Sequence, residues 1–257
     1  MNRIVSIALN TFREAVRDRV LYNLVAFAML MAGAAILVGQ ISIDIERLVV
    51  INLGLTAVAL FGVVIAIFIG IGLVSKEIER RTLYTVLSRP VRRWEFIAGK
   101  FVGLAGTLVV NTFFMALAVF GALLYVSRGF KATDSSILVA LYFIVLEFFI
   151  ITALSLLFSS FSSPLLSALF TFALFVVGSF GEDLRAFAAL STGVTRWLAT
   201  AAAYAVPNLS ALNVVSSVAH GEAVTGHLIL WNTIYAVVYT LMALSGAILV
   251  FEHRNLK

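Results

Sequence analysis

The sequence predicts an all-α integral membrane protein: six transmembrane helices, an N-terminal amphipathic interfacial helix, a cytoplasmic elbow and short outer re-entrant or interfacial helices. Three observations predict it. Of the 257 residues 62% are apolar and only 12% charged, far beyond what a soluble domain carries. The apolar residues fall into six runs, at 20–39, 48–75, 101–127, 137–158, 164–180 and 227–251. The charges gather between runs, with 10 of the 31 Lys, Arg, Asp and Glu residues in 76–100 alone. At ~20 residues per span the length is used up by the membrane, so residues 1–257 form one transmembrane domain with no separate soluble one.

Residues 1–19 come first. Ile4, Val5, Ala8, Leu9, Phe12, Ala15 and Val16 share one helical face, and Arg3, Ser6, Asn10, Arg13 and Arg17 the other. That pattern describes a helix lying in the membrane interface. No small-residue cleavage motif ends the following apolar run, so the segment reads as mature protein rather than a signal peptide. The runs themselves read as helices, because hydrocarbon offers no partner for a free backbone N–H or C=O. The second run is 28 residues long, more than the ~20 needed to cross, so it tilts or continues beyond the headgroups. Gly62, Ala66 and Gly70 form a small-residue ridge on it, and Gly99 with Gly103 a second one. Such ridges admit another helix closely, either within the chain or across a dimer seam.

Orientation follows from basic residues. With the N-terminus inside, 13 of the 18 Lys and Arg fall on the inner side. Arg47, Arg128, Lys131, Arg185 and Arg196 remain outside. The positive-inside bias therefore puts both termini in the cytoplasm of a multi-pass cell (inner) membrane protein. The net charge of +5 suits membrane lipid headgroups, and nothing points to nucleic acid. Without cysteine there is no disulfide framework, thiolate metal site or cysteine nucleophile.

Residues 76–100, KEIERRTLYTVLSRPVRRWEFIAGK, are the polar centre of the chain. Glu77 precedes Arg81 by four positions, and Leu83, Val86 and Leu87 share a face, which predicts a helix over 76–87. Ser88 can cap, and Pro90 suits a first turn, so a second short helix over 90–99 leads into the third span. The elbow offers Leu83, Val86, Leu87 and Val91 inside a rim of arginines, a surface suited to a groove on another protein. A solvated loop whose arginines only set topology is the plainer alternative.

The segment resembles the cytoplasmic coupling segment of type-2 ABC transporter permeases. The residues carrying the resemblance are Glu77, Thr82-Leu83, Leu87, Pro90, Arg93, Phe96 and Gly99-Lys100. It extends to the six-span layout, the amphipathic N-terminal helix, Val206-Pro207-Asn208-Leu209 before the last span, and the closing Phe251-Glu252-His253-Arg254-Asn255-Leu256. Arg81 and Tyr84 stand where the family often has Gly and an acid, so docking contacts differ in detail. The resemblance implies an ABC ATPase subunit dimer that binds Mg-ATP, and a second permease copy or a related permease. It places the ATPase contact at Leu83, Leu87, Val91, Arg80, Arg89, Arg92 and Arg93, and an outer gate at Pro207 and Asn208. The chain has no G-x-x-x-x-G-K-[ST] loop, so no cofactor is expected in it and hydrolysis is expected in the partner.

Glu147 is the one acid deep within a run; a charge there costs about 2.5–3.5 kcal/mol to insert, so it faces protein or a wet cavity. It is a candidate for the transport path together with Asn52 and Asn111, or else a hydrogen-bonded structural group. Asn23, Asn52, Asn111 and Thr112 otherwise read as interhelical hydrogen-bonding residues. The outer loop 181–226 contains two short apolar stretches, 184–190 and 197–206, predicted as interfacial or re-entrant helices broken at Pro207. His220, Glu222 and His227 match no zinc spacing and read as loop residues. Two other functions compete with the ATP-driven exporter. One is an ion-gradient-driven secondary transporter using Glu147, against which the halves show no repeat. The other is a non-transporting membrane anchor of a larger complex.

Overall fold

The computed structural model describes residues 3–16, 21–41, 46–79, 92–127, 129 and 134–253. All regular structure among them is helical. The elements are α1 (Arg3–Ala15), α2 (Leu21–Ile41), α3 (Glu46–Glu79), α4 (Arg93–Ser127), α5 (Ser135–Ser159), α6 (Pro164–Ser179), α7 (Gly181–Leu190), α8 (Gly193–Ala205), a 3₁₀ turn (Ser210–Leu212), α9 (Val215–Ala219) and α10 (Gly226–His253). Every predicted apolar run is a helix. Four are long and apolar enough to cross a membrane, at Glu46–Gly72, Arg93–Ser127, Ser135–Ser159 and Gly226–Glu252. Two bent pairs, α6 with α7 and α8 with the 3₁₀ turn and α9, reach that length if each is one span. In α2 the stretch Ala26–Val38 is apolar but shorter.

α5 is the centre of the bundle. It packs on α3, α4, α6 and α10, and Phe143, Phe148, Ile150 and Ile151 are wholly buried. The ridge of α3 faces it: a Cβ on Gly62 would collide with the Phe148 ring, and one on Gly70 with Ser155. The second ridge holds α1. A Cβ on Gly103 would lie 2.6 Å from the Ala8 carbonyl oxygen, and one on Gly99 2.8 Å from Ile7. Both ridges are thus seams within the chain. α1 presses Ala8, Thr11 and Ala15 inward. Val5, Leu9 and Val16, predicted on the same face, remain exposed, as the lipid side of an interfacial helix would be.

The ends of the bundle differ. α1, the start of α4 and the finish of α10 meet at one, called here the terminal end. The starts of α3, α5 and α10 and the α7–α9 segment lie at the other, the far end. At 34 and 35 residues, α3 and α4 are each roughly 50 Å long at ~1.5 Å per residue. That exceeds the ~30 Å hydrocarbon core, so both extend past it.

Several small polar residues in the spans are satisfied locally, although the Thr152, Ser167 and Thr240 hydroxyls have no partner among the described residues. Thr107 donates to the Gly103 carbonyl at 2.9 Å and Thr112 to that of Leu108 at 2.8 Å. Back-bonding within the helix thus replaces the interhelical bond predicted for Thr112. Asn52 likewise accepts from Thr56 one turn along α3, at 3.3 Å. The Asn23 side chain lies outside the described residues.

Candidate functional site

Of the predicted ATPase-coupling residues, Arg80, Thr82, Leu83, Val86, Leu87, Arg89, Pro90 and Val91 lie outside the described residues, as does the side chain of Glu77. The rest form the start of α4. Among the described residues the helix begins at Arg93, where Glu95 folds back to accept the Arg92 N–H at 2.8 Å, the acidic half of a capping box; the predicted start at Pro90 lies outside the described residues. From there α4 runs unbroken to Ser127, so residues 93–99 and the third span are one rod.

Arg93 closes the terminal end. Its Nη1 donates to the Phe251 and Glu252 carbonyl oxygens, each at 2.8 Å, and its guanidinium lies 6.0 Å from the Phe251 ring centroid. A cation on the last carbonyls of a helix satisfies groups that α10 leaves open and meets the negative end of its dipole. Phe96 stacks on Phe251 with centroids 5.8 Å apart. Lys100 is 1% exposed, with Nζ 5.6 Å from the Phe96 ring centroid. Arg3 reaches Glu95 at 3.8 Å. Arg93 and Phe96 therefore join α4 to α10 and Gly99 joins it to α1, Lys100 packs on Phe96, and Arg92 is exposed. The Phe251 and Glu252 carbonyls were invisible as partners in the sequence, although Phe251 stood in the closing motif.

At the far end the break at Pro207 becomes a short irregular connector, residues 206–209, buried from Pro207 to Leu209. α8 stops at Ala205, and Val206 is extended with ψ 138°. Asn208 donates its N–H to the Tyr235 hydroxyl at 2.6 Å, and Leu209 its N–H to the Gly178 carbonyl at 3.0 Å. Asn232 of α10 donates to the Ala211 carbonyl at 2.6 Å. Gly178 admits this approach, since a Cβ there would lie 2.6 Å from the Pro207 carbonyl oxygen. Arg47 and Asp134 form a largely buried ion pair, their side chains 17% and 8% exposed. It joins the start of α3 to that of α5. Neither residue stood out in sequence; Asp134 is the one acid between the third and fourth runs, which was the available signal.

Glu147 lines a cavity of about 150 Å³ between α3, α5, α6 and the segment 209–215. The cavity's other polar walls are Thr56, Ser179, Ser210 and Asn213. Glu147 is half-buried and forms no hydrogen bond or ion pair with another described residue. Asn208 borders this site by accepting from the Ser210 hydroxyl at 2.7 Å. Asn52 borders it through Thr56. Asn111 does not belong to it: buried in α4, its Oδ1 lacks a hydrogen-bond partner among the described residues. His220 bonds to the Ser216 carbonyl and His227 to Trp231, each in its own segment.

Compared with known protein families, the chain matches the ABC-2 family transporter protein over residues 5–256. No curated protein matches it.

Proposed function

The chain belongs to the ABC-2 family of transporter proteins, and we propose that it is the transmembrane subunit of an ATP-driven exporter, forming the substrate path and drawing force from separate ATPase subunits. The carrying observation is that α3 and α4, the two rods longer than the membrane is thick, lead into residues 80–91 from both sides. A push on that segment from an ATPase dimer closing around Mg-ATP tilts α4, and the Arg93 cluster takes α1 and α10 with it. The far end then responds at the Pro207–Asn208 connector, the outer gate, and at the Glu147 cavity beside it. Two copies, or this chain with a related permease, enclose the path. The terminal end faces the cytoplasm of the cell (inner) membrane, in keeping with the 13 basic residues on that side.

Purification of the tagged full chain from its native membrane tests the reading. An ATP-hydrolysing subunit co-purifies, and cross-linkers placed at Leu83, Leu87 or Val91 join it to this chain. Purification with no nucleotide-hydrolysing partner, or labelling of those positions only from outside the cell, would sink it.

A further inference from the structure

Two hollows of opposite character share one wall. The larger, a groove of about 890 Å³ between α2 and α3, is lined mostly by apolar residues such as Leu30, Leu37, Leu53 and Phe61. Its polar lining is Asn52 and Thr56 alone. The smaller is the Glu147 cavity, and Thr56 and Leu60 line both. Asn52, Thr56 and Leu60 follow each other at i, i+4 and i+8, a single stripe along α3. The groove falls within the roughly 300–1,000 Å³ of small-molecule sites, whereas the cavity, below that range, has room for a headgroup only.

The cavity has a definite hydrogen-bonding sense. Thr56 gives its proton to Asn52, Ser179 to the Phe175 carbonyl and Ser210 to Asn208. The three hydroxyls therefore keep lone pairs to offer, Ser210 having one already taken by the Glu182 N–H at 3.1 Å, and Glu147 adds a carboxyl with no hydrogen-bond partner among the described residues; the Asn213 amide nitrogen is the one donor group among these side chains. Such a site rejects anions and accepts a ligand that brings both N–H donors and positive charge. Phe175 adds an aromatic wall, which also suits an ammonium group.

We propose that the two hollows form one site for a net-cationic, single-chain amphiphile. Its ammonium pairs with Glu147 in the cavity, and its alkyl chain passes Leu60 into the α2–α3 groove. As a cargo site this rests on the transport reading above. Binding itself needs no ATPase, so the two proposals fail separately.

The test measures equilibrium binding of radiolabelled dodecylammonium to the full chain in phosphatidylcholine nanodiscs. Unlabelled 1-dodecanol, methylammonium and dioleoylphosphatidylethanolamine serve as competitors. Saturable binding of one dodecylammonium per chain is expected, with weak competition by all three. Glu147→Gln lowers affinity about thirtyfold or more, as loss of one partner of a desolvated charge pair does. Leu60 is 57% exposed, so Leu60→Trp folds, and it weakens dodecylammonium while leaving methylammonium unchanged. Wild-type affinity in Glu147→Gln overturns the proposal. Competition by 1-dodecanol as strong as by dodecylammonium also does so, assigning the groove to any alkyl chain. Equal competition by the phosphatidylethanolamine overturns it in favour of a zwitterionic membrane lipid.

Discussion

The terminal end is closed by a side chain and by glycine notches that join helices, whereas the far end is closed by hydrogen bonds to an irregular connector. At the terminal end Arg93 holds the last carbonyls of α10, and glycine notches let α1 lie directly on α4. Helices joined in this way move as a block. At the far end the Tyr235 hydroxyl and the Gly178 carbonyl hold the N–H groups of Asn208 and Leu209, and Asn232 holds the adjoining 3₁₀ turn at Ala211. A connector held by a few hydrogen bonds can be lifted without unfolding a helix. One chain thus has a stiff end suited to receiving force and an end suited to opening.

Four substitutions test this contrast. The largest effect is expected from Gly103→Leu. Its obstacle is backbone at Ala8, which yields less than the side chains behind the usual overpacking cost, so the loss exceeds about 3 kcal/mol. Thermal unfolding of the purified chain in detergent reads it, with Gly106→Ala near neutral because the nearest atom to that Cβ is 3.7 Å away. Equal loss in both variants would break the notch argument. Next, Asp134→Asn strands Arg47 in a largely buried pair and costs about 3 kcal/mol, and the double change Arg47→Met with Asp134→Leu recovers most of it. Failure to recover would mean that the far end depends on these residues other than as a pair. Tyr235→Phe leaves the buried Asn208 N–H unpaired and costs about 1–2 kcal/mol. It should loosen the connector and its 3₁₀ turn alone, measured as faster hydrogen exchange at 206–212 with 93–103 unchanged. The smallest stability effect is that of Arg93→Ala, about 1 kcal/mol after allowing for its partial exposure. It separates the ends most sharply, since ATP hydrolysis by the assembled complex should continue while transport per ATP falls.

Much of the fold could be seen in the sequence, because a bilayer requires long apolar helices and leaves charge only at their ends. The six runs, the amphipathic first helix, the break at Pro207 and the single deep acid were all visible. Partners were not. Gly99 and Gly103 announced a close approach, but a glycine does not say which helix will use it. Lys100 read as part of the polar segment, yet it is buried with its Nζ over the Phe96 ring, which its place in that segment did not announce. Arg47 and Asp134 are far apart in sequence, and only the register of α3 against α5 brings them together. The Glu95 cap was not read either, because it acts through one backbone N–H. Glu147 was recognised as exceptional. Its surroundings were not, because Thr56, Ser179, Ser210 and Asn213 come from separate elements and are ordinary residues one by one.

The Pro207 connector also carries a consequence for solvent. The N–H groups of Asn208 and Leu209 are matched by groups on α10 and α6, and hydrocarbon supplies no replacement when those bonds open. On the exporter reading proposed above, lifting the connector draws bulk water inward to hydrate the freed amides. Turnover should then slow as an excluded osmolyte raises the cost of that wetting, coupling the outward step of the proposed cycle to the activity of water.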